Sequence, residues 1–428
     1  MPWSASVSMD TYDVVVVGSG AGGATLAREL CRWGFSVCVV ERGLRHDTVG
    51  GAAHAAAYTD TVVSKEGVPI HRAIMAGGTT IISAGNMVPC LEGPLRRRGI
   101  DISGEVRALR EELSLSPLPP SLCHEATEAV ARAGAAAGMP FEPLVKGIDP
   151  SRCDGCGLCL TGCATGAKWT ALSFLDEAVW LGASVRYGAR CTQVLVQTGR
   201  ATGIEIETED GISSIGARNV VLCAGGLETP VILQKSGIEA GRHLSVDLLS
   251  HVYGIVKGRT FSRELPMTLV CTARLGDEGY ILSPSVNARA VSRHFSSLGR
   301  TDVGVANVLG LMIKIRDSGE GRVFPDGTVS KRVTDADKNI FEHARAAARR
   351  VLIAAGAEPD TLFESSINGA HPLGSAAIGE VVSPTLETRV SGLYVCDASV
   401  LPEAPGLPPI LTIMALALRL AAHLADRA

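Results

Sequence analysis

The chain has 428 residues, enough for two or three domain-sized units or for one doubly wound fold with insertions. With 46% hydrophobic and 20% charged residues its composition is that of a globular protein rather than a disordered one, and a net charge of −4 excludes the basic field that a nucleic-acid partner requires. The first apolar run, 14–17, is too short for a signal-peptide core or a membrane span. The apolar stretch 409–424 is interrupted by Arg419 and His423, so it reads as a buried core helix and the chain as cytoplasmic.

A β-branched strand is expected over 12–17, then a glycine-rich turn, a helix carrying Leu26, Leu30 and Trp33, and a second strand over 36–40. The following stretch reads as loop as far as Ala76, Gly77 and Gly78, whose paired glycines suggest a backbone pressed against a ligand. An alanine-rich helix is expected over 122–138, stopped by Pro140 and Pro143, with a cysteine-rich loop just beyond. Leu172, Leu175 and Val179 then recur at helical spacing up to Gly182. Short strands follow over 184–187, 193–196, 203–207 and 219–223, and apolar runs between 244 and 315 suggest an antiparallel sheet.

Gly18, Gly20 and Gly23 have G-x-G-x-x-G spacing, directly after a strand and before a helix, and Glu41 closes the next strand eighteen residues after Gly23. Such glycines permit a tight turn and close backbone approach to a pyrophosphate, while the helix N-terminus offers unpaired N–H groups to the phosphates. Glu41 can accept hydrogen bonds from ribose hydroxyls. This motif alone does not choose between FAD and NAD.

The segment from Asp13 through Gly23 to Glu41, Arg42 and Gly43 resembles the start of glucose-methanol-choline (GMC) oxidoreductases. Four further stretches resemble that family in its own order. They are Gly77, Gly78, Thr79 and Thr80 through Asn86; Ala224 through Thr229 and Pro230; Gly369, Ala370, His371, Pro372, Leu373 and Gly374; and Asp397 through Pro402 with Leu411 onward. The resemblance implies an α/β fold: an FAD-binding Rossmann-like (GMC-type) domain with an interleaved α+β substrate domain built on an antiparallel sheet. The expected division is 1–100 (FAD-binding, first part), 101–150 (helical insertion), 151–168 (cysteine-rich loop), 169–243 (FAD-binding, second part), 244–364 (substrate domain) and 365–428 (FAD-binding, C-terminal part).

The resemblance also assigns roles. Gly18, Gly20, Gly23, Glu41 and Arg42 would hold the nucleotide, with the backbone at Val194 near the adenine. Gly78, Thr79 and Asn86 would face the flavin, and Ala224, Asp397, Pro409 and Ile410 would face the pyrophosphate or isoalloxazine of a non-covalent FAD. A helix starting at Pro409 and aimed at the flavin would stabilise the negative charge of its reduced form. His371 would be the base that removes a hydroxyl proton while hydride passes to flavin N5. The family usually places a second His or Asn where this chain has Pro408, which offers no side-chain hydrogen bond. His371 therefore works alone, or Asn86 or Asn368 supplies the second contact.

Cys153, Cys156, Cys159 and Cys163 have the C-x2-C-x2-C-x3-C spacing of bacterial ferredoxins, with Ala164 in place of the usual proline. The run reads as a [4Fe-4S] site, with Cys90 or Cys123 as a candidate remote ligand, or as a structural zinc, or as free thiols. The segment from Gly162 to Lys168 resembles one that cluster-free family members carry, while some dehydrogenases of the family hold an iron–sulfur cluster that drains the flavin. The expected activity is accordingly a dehydrogenase oxidising a small hydroxylated molecule and passing electrons to an acceptor protein or quinone, with a partner subunit that completes the pocket or receives the electrons. The alternatives are an oxidase reoxidised by dioxygen, a non-catalytic electron-transfer subunit, and an NAD-binding protein without flavin.

Overall fold

The structure is a computed structural model that describes residues 10–261, 264–299 and 304–427. Its first sheet is centred on Thr11–Val17, flanked in parallel by Val37–Glu41 on one side and by the second half of Gly211–Leu222 on the other. Val14, Val15, Val16 and Val17 are all buried, as expected of a parallel strand covered on both faces. Ser184–Tyr187 extends one edge in parallel, and Leu393–Val395 pairs in parallel with the end of Gly211–Leu222. The first half of that long strand leaves the parallel core and joins an antiparallel meander with Arg200–Thr208 and Arg190–Gln197.

The helix Ala21–Arg32 packs against Ile410–Ala425 and Ala171–Trp180. Arg28 is buried on it, and such a charge needs partners; Glu112 and Glu177 lie 2.7 and 3.5 Å away and its guanidinium covers the Phe174 ring. On the opposite face of the same helix the backbone runs very close to the end of Leu393–Val395. A Cβ on Gly22 would lie 1.9 Å from the Cys396 carbonyl oxygen.

The second sheet has the order Tyr280–Pro284, Val308–Ile315, Leu248–Ile255, Asn368–Gly369, Pro69–Ala73, Thr59–Val63, with Phe363–Glu364 also pairing with Leu248–Ile255. Its pairings are antiparallel except where Asn368–Gly369 meets Pro69–Ala73. The helix Asp335–Ala354 covers this sheet and starts from a capping box between Thr334 and Asp337. Each sheet has its own apolar core.

Several sequence expectations need correction. The stretch read as loop before Ala76 contains Thr59–Val63 and Pro69–Ala73, which belong to the second sheet although they fall inside the first FAD-binding segment. Thr59–Val63 has every second residue exposed, and a half-exposed edge strand of Thr, Asp and Val gives a weak apolar signal. The alanine-rich helix is Glu125–Ala136, shorter at both ends than expected, and Asp335–Ala354 had not been anticipated at all.

Gly22→Ala is expected to push the fingerprint helix off the Cys396 carbonyl, at a cost of about 2–3 kcal/mol. A lowered urea midpoint relative to the parent protein checks this.

Candidate active site

The fingerprint loop sits where the sequence placed it. Glu41, buried at the end of Val37–Glu41, accepts hydrogen bonds from the Ser19 N–H (3.0 Å), the Ser19 hydroxyl (2.6 Å) and the Gly43 N–H (2.7 Å). Burial pushes its carboxyl up, and these donors oppose the push. Arg42 pairs with Glu228 at 2.9 Å, and Glu228 also meets Arg72, which reaches Asp60. Burial raises the Glu228 carboxyl, but the two arginines outweigh it and hold it below the usual range.

The expected flavin-side loop closes on the fingerprint. The Gly77 N–H donates to the Ser19 hydroxyl, and a Cβ on Gly78 would lie 3.2 Å from the Gly20 Cα. Thr79 accepts from the Ala73 N–H, which ties this loop to the second sheet. Asn86 accepts from the Lys146 ammonium at 2.6 Å and its amide nitrogen meets the Met267 sulfur, so both ends of its amide are engaged.

The Val194 N–H donates to Ser236 and the Ala224 N–H to Thr229. Asp397 receives Thr229 Oγ1 and the Gly225 N–H on one oxygen and the Ser399 N–H on the other, so its carboxylate joins the second signature to the closing segment.

Two helix starts at the motif positions lack a described protein group that would occupy their N–H ends. Among the described residues, neither Ala21–Arg32, preceded by Gly20, nor Ile410–Ala425, preceded by Pro409, has a side-chain cap or an acidic residue in its first turn. A Cβ on Gly20 would have no described atom within 4 Å. Uncapped N–H groups at an open glycine suit a pyrophosphate, and a second open N-terminus suits the anionic edge of a reduced flavin. The residues present thus fit FAD.

His371 follows the short strand Asn368–Gly369, and its N–H donates to the Val246 carbonyl. Its ring nitrogen Nδ1 lies 2.9 Å from Oδ2 of Asp247 and 3.4 Å from Nζ of Lys314. Asp247 is fully buried and its other oxygen receives the Gly406 N–H, two residues before Pro408. Asp247 also has a φ of 49°, a left-handed conformation that Asp tolerates better than most residues and that turns its carboxylate toward His371. Burial and the Lys314 charge pull the imidazole below its ordinary 6.5, against the opposing carboxylate.

Among the described residues Asn86 and Asn368, suggested as a second contact to the substrate, do not hydrogen-bond to His371; Asn368 donates to the Ser366 carbonyl. The groups that do were missed in the sequence. Lys314 left a trace there, as the one charge in the apolar strand Val308–Ile315, whereas Asp247 left none.

The cysteine run lies in an irregular loop. Cys153, Cys159 and Cys163 share an apolar cluster with Cys123, Ile148 and Leu265, and all are free thiols. Among the described residues, however, no three His, Cys, Asp or Glu side chains are grouped so as to hold a metal ion. The expected convergence of Cys153, Cys156, Cys159 and Cys163 on a metal is therefore not seen in the folded chain. Two buried lysines lie nearby. Lys168 donates to the carbonyls of Ile81, Ser83 and Cys159, each at 2.7 Å, and Lys146 to those of Ala84 and Pro266. Burial lowers Lys168 to about 8 and Lys146 to about 7, with nearby thiols opposing.

Family models described as GMC oxidoreductase match residues 111–253 and 316–417, and one described as an NAD(P)-binding Rossmann-like domain matches 16–74. The chain belongs to the GMC oxidoreductase family. FAD is the cofactor that this membership supports.

An uncharacterized protein of Methanocaldococcus jannaschii is 28% identical to this GMC oxidoreductase over 415 residues, covering 95% of this chain and 97% of the other. A long-chain-alcohol oxidase of Arabidopsis thaliana is 26% identical over 97% of this chain and 67% of its own. Among solved structures, the pyridoxine 4-oxidase from Mesorbium loti superposes with a TM-score of 0.76 at 19% identity, covering 97% of this chain and 99% of that one. This likeness establishes the shared fold. Among the described residues no helix is long and apolar enough to cross a membrane.

Glu41→Ala is expected to weaken FAD binding by tenfold or more, since a hydrogen bond to a charged group contributes about 1.5–3 kcal/mol. Titration of the apoprotein with FAD, followed by flavin fluorescence quenching, measures it.

Proposed function

We propose that this GMC oxidoreductase oxidises the CH–OH group of a small hydroxylated molecule to a carbonyl, with His371 as the base. The observation that carries this reading is the 2.9 Å contact between His371 Nδ1 and the buried Asp247. An ionised carboxylate only accepts, so the proton of that contact sits on Nδ1, and Nε2 keeps its lone pair. About a quarter of the His371 side chain is exposed (24%), whereas Asp247 is closed off at 0%. The free nitrogen is thus the part of the group that can meet a substrate hydroxyl. Nε2 takes the hydroxyl proton, the C–H bond gives up its electron pair as hydride, and the carbonyl forms. FAD, held by the fingerprint and the two open helix starts, supplies the hydride acceptor when bound. Names among the similar proteins, a long-chain-alcohol oxidase and a pyridoxine 4-oxidase, support a hydroxyl-bearing substrate.

His371→Ala is expected to slow anaerobic flavin reduction by about 10²–10⁴-fold across a panel of primary alcohols that includes pyridoxine and dodecanol. An unchanged rate overturns the assignment. The base must be neutral to act, and its environment pulls it below 6.5. The kcat/KM profile should therefore stay flat as pH falls past 6.5 and drop only below that point.

A second reading concerns where the electrons go. The four thiols of the run supply the donor chemistry of a [4Fe-4S] cluster, and Lys168 ties their loop to the expected flavin-side loop through Cys159, Ile81 and Ser83. A cluster there would hand single electrons to an external acceptor protein or quinone. The oxidase names among the relatives favour direct reoxidation by dioxygen instead. Iron and acid-labile sulfide in anaerobically purified protein decide between them. About four irons per chain would establish the cluster, and flavin bands alone would remove it.

A further inference from the structure

His371 lacks the second His or Asn usual in the family at the position of Pro408, yet it is not alone. Three side chains from separate parts of the second sheet meet inside the protein: Asp247 from the turn entering Leu248–Ile255, Lys314 from the paired strand Val308–Ile315, and His371 from just after Asn368–Gly369. The register places Leu249 opposite Lys314, which brings the lysine beside the Asp247 turn. Lys314 and Asp247 are 2% and 0% exposed, and the Lys314 Nζ stands 4.0 Å from Asp247 Oδ2.

A buried ammonium is costly unless its donors are used. Among the described residues Lys314 has one long contact, to a ring nitrogen already committed to Asp247, and one ionic neighbour. Burial pulls this ammonium below its usual range and the Asp247 carboxylate opposes the pull, so the influence of Lys314 on His371 runs through its charge beside Asp247 and not through a hydrogen bond that it donates.

We propose that Asp247 and Lys314 are positioning residues for His371: Asp247 holds the Nδ1–H tautomer that leaves Nε2 free, and Lys314 cancels the carboxylate's charge so that the imidazole stays neutral. The proposal rests on the reading of His371 as the base. The trio assigns the place of the missing His or Asn to two groups behind the imidazole rather than to a second group in front of it. With Lys314 charged, protonating His371 would take the trio from zero to one net positive charge. Without it, the same proton would neutralise Asp247 and be welcomed.

The other titratable groups around the trio do not supply this effect. Burial pushes the Cys90 thiol, near Lys314, up to about 12, so it remains neutral. Asp317, which receives the N–H groups of Val246 and Leu248, is paired with Lys331 at 2.5 Å.

The test reads the imidazole itself, so it needs no known substrate. FAD-loaded protein carrying ¹⁵N-histidine is titrated by NMR, with the His371 signals assigned by their loss in H371Q. The parent protein should show the Nδ1–H tautomer and a midpoint below 6.5. Removing the lysine charge in K314M should raise that midpoint by about one to three units, the span an adjacent charge produces. K314R should restore it, which a merely structural role for the side chain would not require. D247N should convert the ring to the Nε2–H tautomer, because the amide can donate to Nδ1. Should K314M fail to load FAD, K314Q removes the same charge with a polar side chain. An unchanged midpoint without the lysine charge, or an unchanged tautomer in D247N, overturns the proposal while leaving the His371 base reading intact. Alcohol-driven flavin reduction that survives H371A overturns the base reading, and the proposal with it.

Discussion

A single buried carboxylate holds the reactive region together. Asp247 receives the Gly406 N–H of the closing segment on one oxygen and meets His371 on the other, while its own chain runs directly into the central strand of the second sheet. Burying a charge without partners costs several kcal/mol, so the His371 segment, the closing segment and the sheet must be brought to this point in the folded state. The left-handed backbone at Asp247 is the local strain that this convergence entails.

The same logic recurs where the two halves touch. Lys168 and Lys146 place their ammonium groups among carbonyls of the loop that follows Gly78, Asp397 joins Gly225 and Thr229 to Ser399, and Glu228 collects Arg42 and Arg72. Apolar packing builds each sheet's own core, but the surfaces between them are laced by buried charges. Such contacts are directional, so they set the relative placement of loops that come from distant parts of the chain. The cysteine loop is one of these, tied by Lys168 through the Cys159 carbonyl to the loop that follows Gly78.

On the proposed reading the base and its supporting charges stand on the second sheet and the phosphate-facing helix starts on the first, which separates two tasks. One half offers uncapped N–H groups to an anionic cofactor. The other offers an imidazole whose Nδ1 is held by Asp247. The family models span both sides, matching 111–253 and 316–417 as well as the fingerprint at 16–74.

By itself the sequence determined the fingerprint strand, turn and helix and the buried closing helix, because each depends on local periodicity or on contiguous motif residues, and it singled out His371 through its motif as the candidate base. Tertiary structure alone decided that Thr59–Val63 and Pro69–Ala73 join the second sheet, since their pairing partner Asn368–Gly369 is almost three hundred residues away. It also decided what stands behind His371. Lys314 was visible as a lone charge in an apolar strand, but its meaning depended on strand register, and Asp247 carried no pattern at all. Side-chain convergence across a sheet is set by pairing and by buried charge compensation, neither of which has a period along the chain.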